Sequence, residues 1–472
     1  MLAAKTRASR TVHLPDSPET LETVAKTISF PGEAHVKSLL LAASSLALVL
    51  APAAADARKR LPPLPAQAAL PLVLPSDPVE AYYVTHGNAP IWLRSPDSRA
   101  AAAQLPMLLR RAQVEGLSDG PQLAAQVEQA LAAAASGNPQ AVQAAEYAAS
   151  KAWVRYVQML KIPPQGIVYG YPAMAPQGSR ADQIVLTAAA NPNLPLHLVK
   201  TADLNPTYVA LRNAAWSAFQ STASIDTRLL ANLQRARVLP AGGRYILVNA
   251  ATARLTMFEN GRPVDSMKVV VGKPELPTPM IVSQVFYATL NPYWNVPDHL
   301  IRGVVAPRYL KQGIGYLKMQ GYEVMADWSD NSAVIPNSEV DWKALAAGTA
   351  HVRIRQRPGP ANSMGKMKFN FRNSEDIYLH DTPQKEYFAK PLRTLSNGCI
   401  RLEDARRLGR WLLGADPVTS DKAPEQHVKL PEGVPVYVTY LTAAPDPATG
   451  QIVIANDVYG RDAPSVRTAA AQ

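Results

Sequence analysis

The sequence predicts an α+β protein, with a helical N-terminal domain followed by a mainly β domain that carries an inserted lid. Three observations predict it. Val142, Ala145, Ala149, Trp153, Tyr156 and Leu160 recur at helical spacing and form one apolar face. From Arg244 onward the period changes: Tyr245 to Val248 and Leu255 to Phe258 are strand-like, and Asn260-Gly261 is a hairpin turn signal. Residues 293–350 then lack a clear period and are rich in Tyr, Trp and Pro, as expected of a lid or binding loop.

Taken in order, Lys37 to Ala57 has a charged start, an apolar run from Leu39 to Ala51 and a small-residue end at Ala55-Asp56-Ala57. This pattern is that of a secretory signal over 36–57, with a run too short for a comfortable membrane span. It sits behind 35 residues, and Gly32-Glu33 must be encoded by the purine-rich GGNGAR just upstream of Val36. The expectation is a true start at Val36, leaving 1–35 outside the expressed protein. Residues 58–80 are Pro/Ala-rich and read as a linker.

A helical scaffold is expected over 81–235. It holds the aromatic segment Pro90-Ile91-Trp92-Leu93, helical stretches over 98–161 and about 206–236, and a cap with an N1 proline at Gly137-Asn138-Pro139. The β domain is expected over 240–445, with its lid at about 297–350, and a tail follows over 446–472. Met267 to Val271 and Val434 to Leu441 supply further strands. Leu402 to Leu413 reads as an amphipathic helix closed by Gly414.

The formal charge is +11, and the first 57 residues contain five basic and five acidic side chains, so the exported part is equally basic. That suits an anionic partner such as a wall polymer, a membrane surface or an outer-membrane protein. No nucleic-acid motif accompanies the charge. No pair of histidines has zinc spacing, so neither a metal nor another cofactor is expected.

The chain has one cysteine, Cys399, in Ser396-Asn397-Gly398-Cys399-Ile400-Arg401; His380 lies upstream in Ile377-Tyr378-Leu379-His380-Asp381-Thr382-Pro383. A lone thiol forms neither an internal disulfide nor a thiolate metal cluster. It is an inert core side chain or a nucleophile, and its surroundings favour the nucleophile. Gly398 permits unusual backbone angles. A helix beginning at Leu402 would place the thiol before a helix N-terminus, lowering its pKa and offering N–H groups to an oxyanion. His86, His427 and the other histidines have no comparable setting. Thiolate, imidazole and oxyanion donors are the parts of acyl transfer through a thioester.

Several motifs, in order over roughly 230–465, resemble the L,D-transpeptidase (YkuD-like) family, in particular its large Gram-negative YcbB-type subgroup. They are Val270-Val271-Gly272-Lys273-Pro274 with Thr278-Pro279, Asn291-Pro292-Tyr293-Trp294, Arg357-Pro358-Gly359-Pro360, and the His380 and Cys399 segments. The helical part resembles that subgroup's scaffold domain. The resemblance implies a periplasmic enzyme that acylates Cys399 with a peptidoglycan tetrapeptide donor. A diamino-acid acceptor stem then resolves the thioester into a 3→3 cross-link. His380 would be the base and Tyr378 an oxyanion contributor, although Tyr378 is equally readable as a core strand aromatic. Ser396, Gly398 and Arg401 would support the cysteine loop or the substrate, and Arg401 could equally be a solvated helix-start residue. Asn397 stands where the family usually has histidine, so a proton role there is in doubt. The run from Tyr208-Val209-Ala210-Leu211-Arg212 into Leu229-Leu230-Ala231-Asn232-Leu233 leaves no room for the peptidoglycan-binding module that relatives often carry. An L,D-carboxypeptidase, an enzyme attaching an envelope protein to the wall, and a non-catalytic wall-binding scaffold protein remain the alternatives.

Overall fold

The computed structural model describes residues 74–329, 331–417, 423–446 and 449–462. The expected signal, the start at Val36 and most of the linker lie outside the described residues.

Helices α1 (Pro78–Thr85), α2 (Pro96–Arg111), α3 (Gly120–Ala134), α4 (Pro139–Leu160), α5 (Ala181–Ala190), α6 (Leu194–Ala202), α7 (Pro206–Thr222) and α8 (Thr227–Ala236) form the N-terminal part. Four of them start the same way. Asp77, Ser95, Asn138 and Asn205 cap the orphan N–H groups of α1, α2, α4 and α7, and each is followed by a proline, whose missing N–H costs nothing there. Residues 78–80, expected as linker, therefore already belong to α1. The helical stretches expected over 98–161 are α2, α3 and α4, and Gly116 turns the chain at φ +107 between α2 and α3. The aromatic segment is pinned by the buried Glu146, whose carboxylate accepts the N–H groups of Ile91, Trp92 and Leu93 at 2.9, 3.0 and 2.8 Å. Trp92, Trp153 and Tyr156 are buried in the core that this packing creates.

Strand β1 (Ile167–Tyr169) leaves the helical part to pair in parallel with β5 (Met280–Leu290). The β domain adds β2 (Tyr245–Asn249), β3 (Arg254–Glu259), β4 (Arg262–Gly272), β6 (Trp294–Asn295), β7 (Tyr322–Met325), β8 (Arg353–Gln356), β9 (Met367–Phe371), β10 (Tyr378–His380), β11 (Thr394–Ser396), β12 (Ile400–Leu402) and β13 (Gln426–Thr439). Asn260 and Gly261 turn β3 into β4 at φ +51 and +74, as an Asn-Gly hairpin requires. The pairings β5–β13–β2–β3–β4–β12–β10–β9 return to β5, so the sheet closes on itself around one core. Closure gives each strand an inner, apolar face and an outer face on which polar groups can gather.

The stretch expected to be irregular is instead folded. It contains α9 (Asp298–Leu300), α10 (Ala306–Gln312), α11 (Ile314–Gln320) and α12 (Trp342–Ala347), laid against the small sheet β6–β8–β7. Ile301, Val305, Tyr316, Trp342 and Ile354 give it a core of its own. These helices are short and interrupted by Gly313, Gly321 and Gly348 at positive φ, which is why no long period marks them in the sequence.

Helix α8 staples the helical part to the β domain. The Asn232 amide and Thr442 exchange hydrogen bonds at 2.8 and 2.9 Å, and buried Arg235 pairs with Asp462 at 2.8 Å and donates to Tyr440 O. Breaking such a buried pair from one side costs about 3–5 kcal/mol. Among the described residues, no helix is long and apolar enough to cross a membrane.

Candidate active site

Strands β10 and β12 run parallel, with Leu379 opposite Ile400 and His380 opposite Arg401. Side chains alternate along a strand, and residues opposite each other share a face. Leu379 and Ile400 point inward and are fully buried. Tyr378, His380, Cys399 and Arg401 therefore share the outer face. A sequence separation of nineteen residues has become a diagonal placement: Cys399, just before β12, extends the register opposite Tyr378, one step from His380.

The loop before the thiol is held from several directions. Gly398 has φ +114, and a Cβ there would lie 3.2 Å from Ile377 Cδ1. Ser396 Oγ donates to Cys399 O at 2.6 Å and accepts Gly398 N–H at 3.2 Å. Thr278, fully buried, donates to Gly398 O at 2.7 Å and accepts Gly272 N–H at 2.8 Å. Tyr459 of the tail in turn donates to Gly272 O at 2.6 Å. Thr278 and Tyr459 were not singled out as site residues from sequence. The signals in the sequence are Thr278's place in a recognised motif and Tyr459's place in a tail, Asp457 to Asp462, that looks like the family's ending; Thr278's partner Gly398 lies 120 positions away.

One expectation is corrected. Ile400 to Leu402 is a strand, and the helix α13 (Ala405–Leu413) begins later, capped by Asp404. The strand wins because Ile400 and Leu402 alternate into the core and are both fully buried. Cys399 is thus not at a helix N-terminus, and the dipole effect, which fades within a turn, does not reach it. Burial pushes the thiol up from its ordinary value, with the Tyr378 N–H and the Arg401 charge opposing. The resting form is a neutral thiol that donates to Asp376 O at 3.6 Å rather than to the imidazole.

His380 is 4% exposed, and burial together with the Arg401 and Lys368 charges lowers its pKa to about 4. Its Nδ1 donates to the main-chain O of Asp381 at 2.6 Å, which leaves Nε2 as the proton acceptor. The Asp381 carboxylate is used elsewhere, by Lys366 N–H and Lys385 Nζ. Tyr378 is raised well above the ordinary tyrosine range by burial, so its hydroxyl stays protonated. Arg401 is not a solvated helix-start residue: it donates to Gln384 at 3.2 Å and lies over the Tyr387 ring. Asn397 is exposed at the tip of the loop. Among the described residues, no group of three His, Cys, Asp or Glu side chains gathers as a metal site.

Residues 243–438 match the model of the L,D-transpeptidase catalytic domain (YkuD), and residues 77–214 match the model called Scaffold domain. A Haemophilus influenzae protein, provisionally named an L,D-transpeptidase, is 31% identical over 248 residues, which are 51% of this chain and 49% of that protein. The chain thus spans about half the length of that relative. Among solved structures, an L,D-transpeptidase from Mycobacterium smegmatis is 12% identical over 42% of this chain and 59% of its own, with a TM-score of 0.21. L,D-transpeptidase 3 from Mycobacterium tuberculosis is 14% identical over 42% and 62%, also with a TM-score of 0.21, too low to transfer geometry. The chain thus contains an L,D-transpeptidase (YkuD) catalytic domain, set behind a scaffold domain.

Proposed function

We propose that this protein is a periplasmic L,D-transpeptidase that forms 3→3 peptidoglycan cross-links through a thioester on Cys399. One observation carries the reading. A thiol just before β12 and a neutral imidazole on β10 with a free Nε2 share one outer face, beside a tyrosine that stays protonated. Burial raises the thiol and lowers the imidazole, so both rest neutral and the proton moves only when substrate arrives.

In the first half-reaction the thiol proton leaves the Asp376 carbonyl for His380 Nε2. The sulfur attacks the carbonyl that follows the L-centre of the third, diamino residue of a tetrapeptide stem. The C–S bond forms, the C–N bond breaks, and D-Ala departs with the proton from the imidazolium. The Tyr378 hydroxyl and the N–H groups of the cysteine loop are the nearest candidates for the developing oxyanion. In the second half-reaction an amine from another stem attacks. The new C–N bond forms, the C–S bond breaks, and the amine proton returns through His380 to the sulfur.

Incubating the protein with purified tetrapeptide muropeptides and identifying products by mass spectrometry tests this. Cross-linked dimers with release of D-Ala are expected. Tripeptides alone would mean that water is the acceptor and the enzyme a carboxypeptidase. Neither product would overturn the reading.

A further inference from the structure

The tail residues 457–462 link the helical part to the support of the thiol. On one side they are clamped by α8. Buried Arg235 pairs with Asp462 and donates to Arg461 O, and Asp462 also accepts the Thr442 hydroxyl at 2.7 Å. The Asp457 carboxylate gathers the segment. Its Oδ1 accepts the Tyr440 hydroxyl at 2.8 Å and Arg461 N–H at 2.9 Å, and its Oδ2 accepts Asp462 N–H at 2.9 Å. The Tyr440 hydroxyl in turn accepts Tyr459 N–H at 2.9 Å, and the two rings stack with centroids 4.9 Å apart. Tyr459 is therefore fixed by its main chain and its ring face, with its hydroxyl aimed at Gly272.

Gly272 is the corner on the other side. A Cβ there would lie 2.2 Å from Leu276 O, so no side chain fits and the corner is held through its main chain. Its O accepts the Tyr459 hydroxyl at 2.6 Å, and its N–H goes to Thr278 Oγ1, which donates to Gly398 O. The next N–H, that of Lys273, goes to Ser396 O at 2.9 Å, and Ser396 Oγ holds Cys399 O and Gly398 N–H. Two routes into the cysteine loop thus pass through the Gly272 corner, and Tyr459 holds that corner.

We propose that Tyr459 is a positioning residue for the reaction of Cys399, and that α8 holds it in place through Arg235, so that the helical part acts on the thiol by way of the tail. This rests on the transpeptidase reading and adds what places the nucleophile. Cys399 has no helix start behind it, so its sulfur is set by the main chain of residues 396–399. A displacement of about 1 Å at a reacting atom is worth up to roughly 100-fold in rate. Hydrogen bonds joined end to end polarise one another and fix one arrangement of the groups they link. Thr278 aims Gly398, and Tyr459 keeps the corner that aims Thr278 from moving.

The test follows single-turnover acylation of the full chain by a carbapenem, read by intact mass over a range of drug concentrations. The rate constant belongs to the folded molecules, so lost folded protein lowers the amplitude and not the rate. Tyr459→Phe keeps the ring on Tyr440 and removes the hydroxyl. It should lower the maximal rate about tenfold while the half-saturating concentration moves by less than about twofold. Asp462→Asn weakens the clamp from α8 and should also slow acylation in the wild-type background. In the Tyr459→Phe background it should change the rate by less than about twofold, because a clamp acting through Tyr459 has nothing left to hold. Thr442→Val, a milder change to the same clamp, gives the same readout if Asp462→Asn yields no folded protein. An unchanged maximal rate in Tyr459→Phe or in the clamp variants, a change confined to half-saturation, or effects that multiply in the double variant would overturn the proposal. Wild type that never takes up the carbapenem overturns the transpeptidase reading instead, and the proposal with it.

Discussion

His380 and His427 sit on the same cross-strand row of the same sheet face, yet they have become different chemical groups. His380 is buried beside Arg401 and Lys368, keeps its ring neutral down to about pH 4 and commits Nδ1 to a main-chain carbonyl. His427 is exposed, its ring edge-on to Tyr287 and its Nδ1 3.1 Å from Thr289 Oγ1. Register makes both available to a substrate, but only burial and a fixed tautomer make one of them a base. The difference teaches that, on this face, the β10–β12 end is built for proton transfer and the β5–β13 end for contact.

That contrast can be broken at its centre. Cys399→Ala should reduce turnover to background while leaving the thermal transition nearly unchanged, because the side chain is small. Any cross-linking above the uncatalysed rate would remove Cys399 from the nucleophile role. Intact-mass analysis after carbapenem treatment should place the adduct on Cys399 alone.

Next in size is the base. His380→Ala should slow acylation by about 10²–10⁴, whereas His427→Ala should change it by less than about twofold, as an exposed substitution away from the reacting atoms does. Equal losses at both positions would erase the distinction between the two ends.

Supports of the loop come third. Thr278→Val removes a hydroxyl that bridges Gly272 N–H and Gly398 O, which should cost about 1–3 kcal/mol of stability. It should also slow acylation of Cys399 more than it raises KM. A stability loss with acylation untouched would reduce Thr278 to a packing residue.

The pH dependence sharpens the comparison. The unfolded His380 ring binds its proton near pH 6.5, while the folded ring resists to about 4. The folded state therefore binds fewer protons between those values. Stability is complete above about 6.5 and falls on acidification through the window, by up to ~3 kcal/mol. His380→Gln should flatten that slope, measured by chemical denaturation at pH 4.5 and 7. Alkylation of Cys399 should likewise keep rising with pH beyond 8, because the thiol is raised. A plateau below pH 7 would reveal a preformed thiolate.

The smallest effect is expected at Asn397→His. The side chain is exposed at the loop tip, and the loop is held by Ser396 and Thr278 instead. Acylation should change by less than about twofold and its pH profile by well under one unit, a shift worth about 1.4 kcal/mol.

Local chemistry in the sequence determined much of this protein. The Asn138-Pro139 start of α4, the Asn260-Gly261 hairpin, the apolar face of α4 and the pairing of a lone Cys399 with His380 as candidates are all legible from residues within about twenty positions of one another. Tertiary structure alone decided the rest. Leu402 reads as the start of a helix to Leu413, but it is drawn into the strand Ile400–Leu402 because β4 and β10 flank that strand on both sides. The stretch expected as a lid hides in short helices that bury their apolar faces against one another and against the small β6–β8–β7 sheet. The neutrality of both Cys399 and His380, the Thr278 brace and the Lys368 charge beside the base depend on burial and register between strands far apart in the chain. Desolvation and cross-strand contact are properties of the assembled sheet, and no local run of residues encodes them.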